Sequence, residues 1–348
     1  MSLRISVCPF HLLFKHPFGT AHGTRTGTDS VFVRLEQDGV FGYGEATMPP
    51  YVPETQRSVM AALRALDLHG VDLPSGLTDL LTRSQHLVSS DPSARAALVT
   101  AAFDLTGKFT DKAVWQLLGV PEPGKAQAMF TIGLCALEDI PSRLAELPVC
   151  EVLKVKLDGV LDVERTKAIN RLWSRQLFLD VNQGWRIHED AISLLDAIQS
   201  TEVAGIEQPY PKHDRKLNEW LQATGRAIVY ADEAVQALPD MDVVAGYGGV
   251  NIKLMKCGGL DQAVIMIELA DANRQRVMLG SMSESSLGCT AAAHLSGRAD
   301  LVDLDGPWLL ANDPFDGLGL NAGRLVVPNR SGVGSEPIIA MEFTSISA

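Results

Sequence analysis

Eight short apolar runs, each of strand length and each followed by an interval long enough for a helix, constrain this chain most strongly. They begin near Ala128, Val152, Leu177, Gly205, Ala227, Gly249, Arg276 and Leu301, and successive starts lie 22 to 28 residues apart. A buried parallel strand reads as a continuous apolar run, and two parallel strands need a long crossover, usually a helix. The intervals 162–173 and 260–273 have helical patterning. Eight such units argue for a closed parallel barrel ringed by helices, with an open doubly wound sheet as the structural alternative. Upstream, Ser30 to Leu35 alternates, Gln37-Asp38-Gly39 supplies a turn and Val40 to Glu45 returns, so a β-hairpin is expected. Asp91-Pro92 marks a helix start, with an N-cap followed by Pro at N1, and the apolar run 94–109 continues it. The Pro- and Gly-containing stretch 120–124 reads as a linker. Residues from Pro314 onward, with one strand candidate at 324–327, are expected to pack back on the N-terminal unit.

A length of 348 residues, 46% of them hydrophobic, allows two packed units with a large core. Acidic residues number 42 against 30 basic ones, and no Lys/Arg run offsets that balance, so a nucleic-acid partner is not expected. No stretch approaches 18 consecutive apolar residues, which excludes a helical membrane span. Five scattered cysteines without a CxxC pair read as reduced thiols, and the first twenty residues hold no secretory apolar region. A cytoplasmic location is expected.

The polar residues fall where buried parallel strands should not carry them. The second run holds Lys154 and Lys156, two apart and therefore on one face. The third ends in Asp180, the fourth in Glu207 and the fifth in Asp232. The sixth carries Lys253 and Lys256, and the eighth Asp303 and Asp305. In a βα barrel the C-terminal strand ends form the active-site mouth. Three neighbouring carboxylates need a counter-charge, and all-oxygen ligation suits a hard divalent ion such as Mg²⁺. Strands two and six stand opposite each other in an eight-stranded ring, so Lys156 and a lysine of the sixth run would flank the metal. A substrate is thereby specified. Its carboxylate sits on the metal, a cationic group sits on the two aspartates, and the carbon beside the carboxylate lies between two lysines. Such a site removes a proton from one face and returns one to the other through an enediolate, which is the design of a racemase or epimerase.

At this point the chain resembles the enolase superfamily, its muconate-lactonising subgroup, and within that the dipeptide epimerases. Gly42-Tyr43-Gly44-Glu45-Ala46 is similar to the family's GxGEA segment, and Ala102 to Lys108 to its A-x-D-L-x-x-K helix. Lys154-Val155-Lys156 resembles the KxK motif. Asp180-Val181-Asn182, Glu207-Gln208-Pro209 and Ala231-Asp232-Glu233 resemble the three metal-ligand motifs, and Lys253-Leu254-Met255-Lys256 the K-x-x-K. Asp303-Leu304-Asp305 resembles the DxD that holds a dipeptide's α-ammonium, and Gly280-Ser281-Met282 the segment after strand seven. The resemblance implies a modified (β/α)₈ TIM-type barrel of (β/α)₇β form, with an N-terminal α+β capping domain completed by the C-terminal segment. The corresponding division is 1–120, 125–313 and 314–348.

The resemblance further implies a Mg²⁺-dependent dipeptide epimerase of the L-Ala-D/L-Glu type, associated with cell-wall peptide turnover. Lys156 and Lys256 would be the catalytic acid/base pair, and Asp180, Glu207 and Asp232 the metal ligands. Asp303, Asp305, Lys154, Arg25, Tyr51, Ser281 and Met282 would contact substrate. Arg25 and Tyr51 fall in two capping segments, 19–28 and 48–54, read as loops that set side-chain specificity; Arg25 would pair with a substrate Glu carboxylate. Epimerases of hydrophobic or cationic dipeptides, and a lyase such as a succinylbenzoate synthase or cycloisomerase, remain as alternatives. Whether the chain forms a homo-oligomer is left open. Gly119 to Gly124 followed by Lys125 mimics a phosphate-binding loop, but Ala126 replaces the required Ser/Thr and the segment follows a helix.

Overall fold

A computed structural model describes residues 3–21, 23–124 and 126–346; His22 and Lys125 lie outside the described residues. The N-terminal hairpin forms from a register that the turn fixes. Strands β1 (Arg4–Thr20), β2 (Gly23–Gln37) and β3 (Val40–Met48) make an antiparallel sheet, with Asp38 and Gly39 both at positive φ in the connecting turn. The helix Pro92–Thr110 packs across this sheet. Asp91 caps it by accepting from the Ala94 N–H, as the sequence predicts. Gly44 lets that helix approach, since a Cβ there would stand 1.9 Å from the Ala97 carbonyl oxygen.

The eight runs are eight parallel strands that close a barrel. They are β4 (Gln127–Ile132), β5 (Val152–Lys156), β6 (Gln176–Asp180), β7 (Val203–Glu207), β8 (Val229–Ala231), β9 (Gly249–Ile252), β10 (Arg276–Gly280) and β11 (Leu301–Asp303). Strand β11 pairs with β4, so the ring is complete and no doubly wound edge remains. One interval departs from the expected alternation. Between β8 and β9 lies only a 3₁₀ turn, Leu238–Met241, opened by Pro239, and Gly246, Gly248 and Gly249 beyond it disfavour a longer helix. After β11 there is one short helical turn, Gly306–Leu309.

Period-two alternation builds the barrel in layers. Outward-facing Leu153, Val155, Leu179, Ile206, Val250 and Val302 join the large apolar core under the helices. Inward-facing Met129, Val152, Phe178, Tyr230, Met278 and Leu301 form a separate apolar floor. The Tyr230 ring fills the space over Gly205 and Gly249, where a Cβ would stand 2.6 and 2.4 Å from ring carbons. Two residues further along each of the same strands come Thr131, Lys154, Asp180, Asp232, Gly280 and Asp303. The polar site therefore rests on a dry floor.

The C-terminal strand at 324–327 is found, as Arg324–Val326, but it pairs with Gly319–Asn321 and not with the N-terminal sheet. The return to that sheet is made instead by Thr344–Ser345 beside β1, and by Phe315 packed against Phe32 and Tyr43. Glu45 of β3 joins cap to barrel: its buried carboxylate accepts from the Ser285 N–H at 3.1 Å and the Gly288 N–H at 3.1 Å, at the start of helix Ser286–Ala293. Beside it the buried Glu284 carboxyl is pushed up to about 8 by burial and by the Glu45 charge. A raised carboxyl contributes stability that is present at low pH and lost as pH rises through the folded value. Thermal stability measured from pH 5 to 9 should therefore fall toward pH 8, and Glu284→Gln should flatten that fall. An identical pH slope in the variant would place the charge elsewhere.

Candidate active site

The polar layer and the rim above it enclose a cavity of ≈ 370 Å³ at the C-terminal mouth of the barrel. It brings together Lys154, Lys156, Asp232, Lys256, Asp303 and Asp305, together with Arg25, Tyr51, Ser281 and Met282 from the cap side and the loop after β10. Asp180 and Glu207 lie beneath it, fully buried. Register explains the row: Lys156 pairs with Asp180, and Asp180 with Glu207, on adjacent strands. Strands β5 and β9 are four places apart in the ring, as are β7 and β11. Lys156 and the lysines after β9 thus face each other across the axis, and Glu207 faces the Asp303–Asp305 pair.

Lys256 is not on a strand. Strand β9 ends at Ile252, and Lys256 sits on a one-turn helix, Leu254–Cys257, stopped by Gly258 at φ 86°. The helical turn swings both lysines toward Asp232: Lys253 Nζ lies 2.9 Å from Oδ2 and Lys256 Nζ 2.6 Å from Oδ1. Lys256 also donates to the Asn251 carbonyl at 3.0 Å. Burial and the Lys253 charge lower the Lys256 pKa against the pull of Asp232, the direction a neutral amine base needs. Lys253 is raised, because the Asp232 and Glu207 charges outweigh its burial.

On the other side, Lys156 Nζ is 2.5 Å from Asp180 Oδ2. Lys154 stands at the centre of the acids, 2.9 Å from Asp180, 2.7 Å from Glu207 and 2.6 Å from Asp303. Burial alone would lower its pKa, yet these three charges raise it well above the ordinary lysine value. Asp180 and Asp232 are each held well below the carboxylate range by two lysines, despite their burial.

Two acids lack such compensation. Glu207 is pushed up to about 8, by burial first and then by the Asp180 charge. Its Oε1 accepts from Asn251 at 2.7 Å, while Oε2 stands outside hydrogen-bond geometry despite its closeness to Lys154. Asp305 is pushed up to about 7 by burial and by Asp303, and among the described residues its carboxyl is held by Thr131, a neutral partner whose N–H donates to Oδ2 at 2.8 Å. Both places favour an added positive charge. Among the described residues no three acids or histidines are already drawn into a metal-binding cluster. The donor chemistry at Asp180, Glu207 and Asp232 nevertheless fits a hard divalent cation, with three carboxylates and no nitrogen or sulfur ligand.

Arg25 lies on β2, not in a loop. Segment 19–28 is largely strand, Phe18 pairing with Arg25 and Gly19 with Thr24 beyond a register shift after Leu13. That pairing carries the guanidinium over the cavity, between the rings of Phe14 and Tyr51 at 5.3 and 5.6 Å. Its Nη2 reaches Ser283 at 3.4 Å, while Nε and Nη1 are buried without a hydrogen-bond partner among the described residues. Tyr51 reaches the Met282 sulfur at 3.5 Å. Thr131 and Asn251 also face the site, without a charge or motif in the sequence to mark them. Each is a neutral polar residue within a strand, and only the i+2 step from the floor residues Met129 and Gly249 marks them.

Comparison with known proteins agrees with this geometry. Residues 4–119 match the model of the mandelate racemase/muconate lactonizing enzyme N-terminal domain, and residues 142–338 that of the enolase C-terminal domain-like family. The chain belongs to the mandelate racemase/muconate lactonizing enzyme family of the enolase superfamily. Within this family it is 34% identical to an L-Ala-D/L-Glu epimerase of Bacteroides thetaiotaomicron, over 95% of this chain and 87% of the relative. It is 31% identical to the L-Ala-D/L-Glu epimerase of Escherichia coli, over 89% and 95%. The solved structure of the Bacillus subtilis L-Ala-D/L-Glu epimerase with substrate superposes with a TM-score of 0.88 at 28% identity, covering 98% of this chain and 100% of that one. A dipeptide epimerase of Enterococcus faecalis, complexed with Mg and L-Leu-L-Tyr, gives 0.88 at 26% identity, covering 96% and 99%. Among the described residues no helix is long and apolar enough to cross a membrane.

Proposed function

We propose that this protein is a Mg²⁺-dependent dipeptide epimerase that moves the α proton of the C-terminal residue reversibly between two lysines. The observation that carries the reading is the pair of opposed lysines, Lys156 and Lys256, on one cavity lined also by the under-compensated Asp305, with the under-compensated Glu207 buried beneath it. The substrate α-ammonium would sit at Asp305, with Asp303 beside it, and the carboxylate would lie over Asp180, Glu207 and Asp232. That orientation leaves the intervening α carbon between the lysines. One amine takes the proton as the other ammonium delivers its own to the opposite face, so configuration inverts. When bound, Mg²⁺ would supply positive charge to the substrate carboxylate as the proton leaves. Lys154, fixed among three acids, keeps its proton and offsets the mutual repulsion of the carboxylates. Five cysteines without a disulfide support a cytoplasmic location.

The unpartnered Arg25 donors support an acidic C-terminal side chain, as at the Glu position of the L-Ala-D/L-Glu type. Proton NMR in D₂O with Mg²⁺ tests both statements: L-Ala-L-Glu should lose its C-terminal α-proton signal as the diastereomer appears. Exchange confined to apolar or cationic dipeptides would reassign the side-chain preference. No exchange on any dipeptide would turn the reading toward a lyase of the same family. Arg25→Met should lower kcat/KM for the acidic dipeptide by about 100-fold, since a bidentate charged contact is lost, with little change for a neutral C-terminal residue. Equal losses on both would remove Arg25 from side-chain recognition.

A further inference from the structure

A second cavity of ≈ 330 Å³ adjoins the first on the far side of Asp305. Phe18, Thr131, Asp305 and Leu309 line both, so the two spaces meet at the acid that faces Glu207 across the barrel. Its walls are apolar and aromatic. Trp308 stands edge-on to Phe130 at 5.2 Å, and Phe14 to Phe18 at 6.0 Å. Besides Asp305, the charged residues on its lining are Lys15, His16, Arg143 and Glu146; His16 of β1 pairs with Glu146 of helix Ile140–Glu146 at 2.6 Å, and Lys15 donates to the Trp308 carbonyl at 3.0 Å.

Covalent geometry ties this cavity to the substrate. In the N-terminal residue of a dipeptide, the ammonium nitrogen and Cβ share one α carbon, so they stand only about 2.5 Å apart. An ammonium on Asp305 therefore starts its own side chain at the junction of the two cavities. The first is occupied by the reacting residue and the lysines. We propose that the second cavity is the subsite for the N-terminal side chain, and that the substrate class is a dipeptide with a large apolar or aromatic N-terminal residue. This rests on the dipeptide-epimerase reading. A volume of ≈ 330 Å³ lies in the range of sites that enclose a small ligand, far more than the methyl group of Ala fills. The apolar walls gain little from a methyl group and more from a Leu or Phe side chain that displaces water.

The test compares α-proton exchange on L-Ala-L-Glu, L-Leu-L-Glu and L-Phe-L-Glu with Mg²⁺ present. The Leu and Phe substrates should show kcat/KM about tenfold above the Ala substrate. Exchange on L-Ala-L-Glu with the larger two equal or slower would overturn the subsite while leaving the epimerase intact. No exchange on any of the three, nor on dipeptides with other C-terminal residues, would overturn both. Leu147, on the wall of the second cavity only, gives an independent check. Leu147→Trp should lower the Phe-to-Ala ratio of kcat/KM at least about fivefold, because the added ring takes the space of the substrate ring. An unchanged ratio would mean that the side chain lies elsewhere.

Discussion

Replacing Lys256 with Met should lower epimerisation by about 10³- to 10⁴-fold while the protein still washes the α proton out of one diastereomer. Replacing Lys156 with Met should do the same for the other diastereomer. Two lysines on opposite sides of the barrel axis can each reach only one face of the α carbon, so each variant keeps the half-reaction of the lysine that remains. The surroundings make Met a fair substitute in shape but not in chemistry. Lys256 loses contacts to Asp232 and the Asn251 carbonyl, and Lys156 those to Asp180 and Asn182. Deuterium incorporation into separate L,L and L,D dipeptides reads the asymmetry directly. If either variant exchanged both diastereomers, a single base would serve both faces and the opposed-lysine mechanism would fall. The lowered Lys256 pKa identifies it as the more readily neutral amine of the two lysines on Asp232, so Lys253→Met should disturb the reaction less than Lys256→Met.

Much of this was legible because strand chemistry is periodic. Phe178 and Asp180, or Leu301 and Asp303, differ by two positions, and that step alone carries a chain from apolar floor to polar site. The spacing of the runs gave the barrel for the same reason. Lys256 was legible as a residue but not in its setting, since K-L-M-K continues a strand as readily as it starts a turn until Gly258 takes positive φ. Arg25 was legible as a candidate but its place on a strand was not, because the irregular register of β1 and β2 leaves no mark in the alternation of polar residues in 19–28. The charge balance was the least legible part. From the sequence Lys154 is expected to contact substrate, whereas it stands among Asp180, Glu207 and Asp303 from three different strands. A contact set by ring closure has no local signature.

That charge balance leads to the other large effect. Five acids of the site, Asp180, Glu207, Asp232, Asp303 and Asp305, meet four lysines, Lys154, Lys156, Lys253 and Lys256, and the raised Glu207 and Asp305 show where positive charge is short. Substrate brings an ammonium to one and a carboxylate toward the other, so the Glu207 end needs a cation from outside the chain. Dialysis against EDTA should therefore reduce exchange at least about 10³-fold, and added Mg²⁺ should restore it. Glu207→Gln should abolish exchange just as fully but without rescue by Mg²⁺. The fold should survive it, because a neutral amide of the same shape replaces a carboxyl whose burial already disfavours the charge. Isothermal titration with Mg²⁺ separates this from mere loss of structure: a variant with an unchanged melting temperature and weakened Mg²⁺ binding is the expected result. Full exchange in EDTA-treated protein, or Mg²⁺ bound equally well by Glu207→Gln, would show that the three carboxylates serve the lysines alone.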